Sequence, residues 1–372
     1  MKKAPLITIA EVIRGVSFSK DEGSGFKSEG RLPVIRAGSI QESLHLDEGQ
    51  IWVPEGKIKE NQKIRRDDIV MCTSSGSSSL VGKCAKAEVD FDGSFGAFCA
   101  GIRPNKDRVS ASYLYHFLSS PAFRNWSSSS SGANIKNIRV SELAEFEIPL
   151  PPLEKQKRIA TILDKADGLR RKRQQAIQLA DEFLRAVFLD MFGDIPAKMS
   201  PFELKGCRGA VSAASGKSSK AVLSDQTTEI PIYGGNGING YATKALYDGP
   251  VIVVGRVGQQ CAITHLTYGP SWITDNAIVV KIEDKKQFNP VYLSHAFKNS
   301  PIRDVVTRLD LPFVNQAMIL DHPIPHPPIE LQKKYADIHK KVLRTVDGLN
   351  KSADYSSKCF SSLAQKAFTG QL

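Results

Sequence analysis

The chain has 372 residues, enough for two or three domains with real cores. No apolar run is long enough to span a bilayer, and the six scattered cysteines form no CxxC pair, which argues against a zinc site and a disulfide framework. The formal charge of +11 and a pI near 9.3 point to a polyanionic partner, with a basic but inert surface as the alternative.

The N-terminus, MKKAPLITIAEVIRG, has no extended hydrophobic core of a signal peptide, so a cytoplasmic location is the default expectation. Residues 1–148 read as a first globular unit. Leu32 to Arg36 predicts a short strand, with Gly38 marking a turn. Asp67 to Cys72 predicts a buried strand after a charged turn. It runs into the polar loop Thr73 to Ser79, and Leu80 to Ala85 restarts a strand. Ser112 to Leu118 predicts a short helix ending near Pro121. Ser127 to Gly132 is another Ser-rich loop, followed by Ala133 to Ile138.

Residues 149–194 then read as one long helix, interrupted only by Gly168. Pro151 and Pro152 suit a helix start and Gly193 a stop. Ile159, Ile162, Ala166, Leu169, Ala176, Ala180, Phe183 and Val187 trace a seam for packing on another helix. Such a helix is roughly 60 Å long. Its run Arg170-Arg171-Lys172-Arg173 reads first as a solvated face, with Arg173 a flaw in the seam.

Residues 195–324 echo the first unit. Ile230 to Tyr233 parallels Leu32 to Ile35. Val251 to Gly258 parallels Ile69 to Gly76, and Tyr292 to His295 parallels Tyr113 to His116. Residues 325–372 repeat the long helix. Pro151-Pro152 returns as Pro327-Pro328, Gln156 as Gln332, Ala160 as Ala336 and Phe192 as Phe368, all at a shift of 176 (327 − 151). The seam recurs as Val342, Val346, Leu349, Ala353, Ser356, Phe360, Leu363 and Ala367. This is a duplicated domain-plus-helix unit rather than a solenoid. Each copy of the helix has an obvious partner in the other.

Gly235-Asn236-Gly237-Ile238-Asn239-Gly240 formally fits GxGxxG. The following residues show no helical periodicity, so a Gly-rich surface turn is expected rather than a nucleotide site. Asn289-Pro290-Val291-Tyr292 half-resembles the catalytic loop of amino-methylating DNA methyltransferases. It lacks the second proline, and no FxGxG precedes it, so a helix start is the better reading. His322 and His326 have possible ligand spacing, but Pro323 and Pro325 preclude a regular helix there. No catalytic constellation emerges, and no metal or cofactor is expected in this chain.

What remains is recognition chemistry. Arg and Lys suit guanine edges, Asn and Gln suit adenine edges, and Ser or Thr serve base or phosphate. The candidate DNA-contacting residues are Arg36; Ser74, Ser75, Ser77, Ser78 and Lys83; Asn134, Lys136 and Arg139; Asn236 and Asn239; and Arg256, Gln259 and Gln260. They fall at equivalent points of two duplicated units with divergent loops, as expected for readers of different targets.

With these residues in view, the chain resembles the specificity (S) subunit of type I restriction–modification systems. The resemblance is carried by IPLPPLEKQKRIATILDKAD and DEFLRAVFLDMFGD in the middle, and by PHPPIELQKKYADI and SSLAQKAFTGQL at the end. IPIYGGNGINGYATK, VIVVGRVG, TDNAIVVKI and DDIVMCTSSGSSSLVGKCA support it. It implies an α+β architecture. Two α/β target-recognition domains are separated by two long helices paired as an antiparallel coiled coil, in a pseudo-two-fold duplicated arrangement. Each domain would read one half of a split site in double-stranded DNA. The helices would set the spacing and dock two methyltransferase (M) subunits. S-adenosylmethionine would be bound by the M subunits and ATP with Mg by the restriction (R) subunits, none of them by this non-catalytic chain. Arg256 matches the family's Arg-x-Gly loop, where the first unit has Ser74. The usual Glu-Gln of the helix start is here Lys155-Gln156 and Leu331-Gln332. A duplex presents the same face about every 34 Å, so a rigid spacer could act as a ruler. A related phage-defence methylation complex of type IIB-like arrangement, a self-contained DNA methyltransferase and a coiled-coil adaptor are the rival readings.

Overall fold

The structure is a computed structural model that describes residues 2–77, 79–129, 136–306, 312–369 and 371, with only the backbone described at 128, 129, 136, 305 and 351–359. Two units form, 1–174 with 351–372, and 175–350.

In the first unit an antiparallel sheet runs in the order Ala10–Arg14, Cys99–Pro104, Ile69–Cys72, Cys84–Lys86. Ile69 to Cys72 is buried at every position, which is why the sequence shows an unbroken apolar run there. A second sheet, Ile51–Pro54, Arg31–Ile35 and Ser94–Phe95, lies beside it. The Ala111–Leu118 helix packs Tyr113, Leu114, Phe117 and Leu118 against Ile69, Met71, Ala100 and Ile102. The second unit repeats the plan. One sheet is Val211–Ser215, Ala277–Ile282, Ile252–Gly255 and Thr264–Leu266. The other is Leu223–Ser224, Gly237–Ala242, Pro231–Gly234 and Trp272–Ile273. Its helix Pro290–Lys298 starts at Asn289, whose side chain accepts from the Val291 and Tyr292 amides.

The two long helices are Leu153–Phe192 and Ile329–Thr369. Gly193 ends the first at φ +83°, its amide bonding the Leu189 carbonyl. In the first unit the start of the first helix (Ile159, Ala160, Leu163) shares a core with the end of the second (Ala364, Ala367). Phe368 packs edge-on against Tyr113 and Phe117. In the second unit the end of the first helix meets the start of the second, with Phe188 and Phe192 edge-on to Tyr335. Start beside end in both units is the antiparallel relation.

The same lock fastens helix to head in both units. Gln156, buried, accepts from the Ser110 amide at 3.0 Å and donates to the Arg108 and Pro151 carbonyls at 3.2 and 2.8 Å. Gln332, buried, accepts from the Asn289 amide at 2.8 Å and donates to the Gln287 and Pro327 carbonyls at 2.8 and 2.9 Å. Tyr113 and Tyr292 complete the two locks by donating to the Pro149 and Pro325 carbonyls. These carbonyls and amides lie at helix starts and proline turns, where the backbone offers itself no partner.

Four expectations change. The buried line of the first long helix runs through Ile159, Leu163, Leu184, Phe188 and Phe192, so Ile159 of the expected seam is buried while Leu169 and Phe183 are about half exposed. The helix ends pack on the heads, so the heads and not one continuous seam select the buried face. The expected strand from Leu80 is a turn as far as Gly82 (φ +80°), and the strand is Cys84–Lys86. Of the expected turn over residues 235–240 only Gly235-Asn236 is one, and Gly237–Ala242 is a strand paired on both sides. Arg170 and Arg171 are not a plain solvated face. Both donate to Asp167, which is only 8% exposed, and they reach Glu42 and the Tyr115 hydroxyl of the first head.

Candidate nucleic-acid interface

The strand ends of the two heads carry the candidate residues, and backbone hydrogen bonds fix which positions correspond. In the first head the Thr73 amide bonds Phe98 O and the Ile138 amide bonds Thr73 O, at 2.9 and 2.8 Å. In the second the Arg256 amide bonds Asn276 O and the Val314 amide bonds Arg256 O, at 3.0 and 2.9 Å. Arg256 therefore corresponds to Thr73, one residue before the expected Ser74. The loops rejoin the sheet alike, the Gly82 amide on Cys72 O and the Ala262 amide on Gly255 O, both at 2.8 Å. Gly82 and Ala262 share the left-handed conformation, at φ +80° and +62°. The first loop is three residues longer between these points, which is where a register read from sequence slips.

In the first head, Arg36, Ser74 and Ser75 line one open cleft of about 690 Å³ with Gln41, His45 and Phe98. Arg36 is exposed and donates through Nε to Gly49 O at 3.3 Å. Ser74 and Ser75 form a two-residue strand with Asn137 and Lys136. Ser77 is exposed and shares a hydrogen bond with Ser79, while Lys83 is half-buried behind the loop, its carbonyl on the Cys72 amide. Arg139 is exposed and pairs loosely with Glu142 at 3.6 Å. Ser78 and Asn134 lie outside the described residues, as does the Lys136 side chain.

In the second head, Asn236, Asn239, Arg256 and Gln259 are exposed and Gln260 is half-buried. Gly258–Gln260 is a single 3-10 turn. Added Cβ atoms at Gly235 and Gly255 would strike Gly255 and the Gln260 carbonyl respectively. Gly235 thus packs closely on Gly255, and the turn that brings the Gln260 carbonyl back onto Gly255 leaves no room there for a side chain. Thr274 contributes a buried hydroxyl with no partner beside Gly234.

Sequence reading missed Phe98, 68% exposed at the cleft, and its counterpart Asn276. Both sit one residue before a buried strand, and a large apolar side chain after Gly96-Ala97 was the available signal. Cys99 at the cleft floor is no nucleophile, because burial pushes its thiol up to about 12. His326 Nε2 donates to the Lys205 carbonyl at 3.1 Å, and no metal-ligating cluster occurs among the described residues. No described helix is long and apolar enough to cross a membrane.

The fold and the site define a duplicated, two-headed α+β protein with unlike polar loops at corresponding strand ends. Residues 2–179 match the family described as the type I restriction modification DNA specificity domain. Two relatives are each 40% identical over 189 residues, half of this chain: the StySPI specificity subunit of Salmonella potsdam and the EcoKI specificity subunit of Escherichia coli K12. The chain spans about two fifths of the length of either, 41% and 40%. The crystal structure of a type I restriction–modification S subunit from M. genitalium has the same fold. Its TM-score is 0.66 at 16% identity, over 99% of this chain and 96% of that one. Residues 2–179, about the first half of the chain, thus carry a type I restriction–modification DNA specificity domain, and the chain as a whole shares the fold of the S-subunit structure.

Proposed function

We propose that this chain is the DNA-recognition subunit of a type I restriction–modification complex. Each head reads one half of a split duplex site, and the long helices hold the halves at a set spacing and dock two methyltransferase subunits. The observation that carries this reading is the pair of matched strand ends bearing different side chains. A common frame with unlike loops suits two unlike half-sites. The charge of +11 suits a phosphate backbone. The chain contributes recognition and no chemistry. S-adenosylmethionine belongs to the methyltransferase subunits and ATP with Mg to the restriction subunits, all in the cytoplasm.

The test is footprinting of the chain with its methyltransferase partners on random duplex. Two protected half-sites with a fixed gap are expected, and one short continuous site would refute the reading. Removing seven residues from each long helix should change the tolerated gap, and an unchanged gap would refute the spacing role.

A further inference from the structure

Resting on the DNA-recognition reading, we propose that Arg36 is the guanine-reading arginine of the first head. It acts from the strand end next to the one that carries Arg256 in the second head. Asn239 takes the place of Arg36 in the second head, as an adenine reader.

The correspondence comes from parallel pairing in the smaller sheets. Ile35 O accepts from the Gly96 amide at 2.9 Å, and Tyr233 O accepts from the Thr274 amide at 2.8 Å. Val34 and Ile35 pair with Ser94 and Phe95 as Ile232 and Tyr233 pair with Trp272 and Ile273. The next residue is therefore Arg36 in one head and Gly234 in the other. Gly234 has no side chain to present, and the space its Cβ would need is filled by the Asn239 amide nitrogen. At the neighbouring strand end the assignment reverses. Arg256 is exposed, whereas its counterpart Thr73 is buried and spends its hydroxyl on the Phe98 carbonyl at 3.1 Å. Thr73 thus has nothing to offer a base.

At this pair of strand ends each head therefore presents one exposed arginine, on alternate members of the pair. Arg36 uses only Nε in its bond to Gly49, and a guanine edge needs the two terminal nitrogens for O6 and N7. An amide at the Arg36 place matches adenine N6 and N7 instead. The two heads would then share a groove approach but differ in which base step meets the arginine.

The experiment is selection from a random duplex library by the full chain in complex with its methyltransferase subunits, for the wild type and single variants. Arg36→Ala is expected to lose about tenfold preference for guanine at one position of a single half-site. That half-site is the one Arg256→Ala leaves untouched. Arg36→Lys keeps the charge without the fork, so overall affinity and its salt dependence hold while the preference falls. Asn239→Ala should lose an adenine preference in the other half-site only. All three side chains are exposed or half-exposed, so folding is not at stake. Uniform weakening on every sequence by Arg36→Ala, or an unaltered first half-site, would overturn the inference. A wild-type complex with no split preference would overturn the functional reading itself.

Discussion

Gln332→Leu tests whether the glutamine locks hold helix to head. Leucine is of similar volume, so cavity effects are small. It strips partners from three backbone groups, the Asn289 amide and the Gln287 and Pro327 carbonyls, around a side chain that is fully buried. Each buried group left unpaired costs about 1–3 kcal/mol. The carbonyls relax more readily than the amide, so a total of about 3–6 kcal/mol is expected. Against a typical domain stability of about 5–15 kcal/mol, that is enough to open the second unit. Urea denaturation of the full chain gives the magnitude. Hydrogen exchange should localise it, with amides of residues 287–293 and the first turn of the second long helix losing protection first. Gln156→Leu should act equally on the first unit and spare the second. A loss below about 1 kcal/mol, or one spread evenly over both units, would refute the lock.

Arg256→Ala should cost about 1–3 kcal/mol on one half-site and nothing on the other, measured by competition between half-site variants. Burial beside His339 and Lys298 holds His295 down at about 3, against about 6.5 when unfolded. Below pH 6.5 the unfolded chain takes up a proton that the folded second unit refuses. Stability should therefore fall as pH drops toward 3, by up to about 1.4 kcal/mol per pH unit. Urea midpoints across that range check it, with His295→Gln giving a shallower slope. Gly82→Ala combines φ +80° with a Cβ 2.5 Å from the Ser127 hydroxyl, so a loss of about 1–3 kcal/mol is expected in urea. Ala262→Gly, at the matching place, should stay within about 1 kcal/mol of the parent.

The long helices were legible because their repeat keeps a single shift. Gln156 and Gln332, Ala160 and Ala336, Phe192 and Phe368 all differ by 176. The buried face was less legible. Phe188 points inward only because two aromatic rings wait for it, Tyr292 of the second head and Tyr335 of the second long helix. The heads resisted finer alignment because their loops differ in length. The offset is 183 at Thr73 and Arg256 but 178 at Cys99 and Ala277. That drift hid the Thr73–Arg256 and Arg36–Gly234 correspondences, which only the ladder hydrogen bonds reveal. The polar loops named from sequence include Arg36, Ser74 and Ser75, which share one cleft. Phe98 escaped because an exposed aromatic has no periodicity to betray it.

The twin glutamine fastenings have an evolutionary corollary. Each grips main-chain amides and carbonyls almost exclusively, so it is indifferent to the side chains of whatever it clasps. A foreign head that brought its own short helix, a tyrosine at the Tyr113 or Tyr292 place and the proline turn would seat on the same mount. New specificities could then arise by exchanging whole heads at these joints, with no retuning of the shaft that carries them.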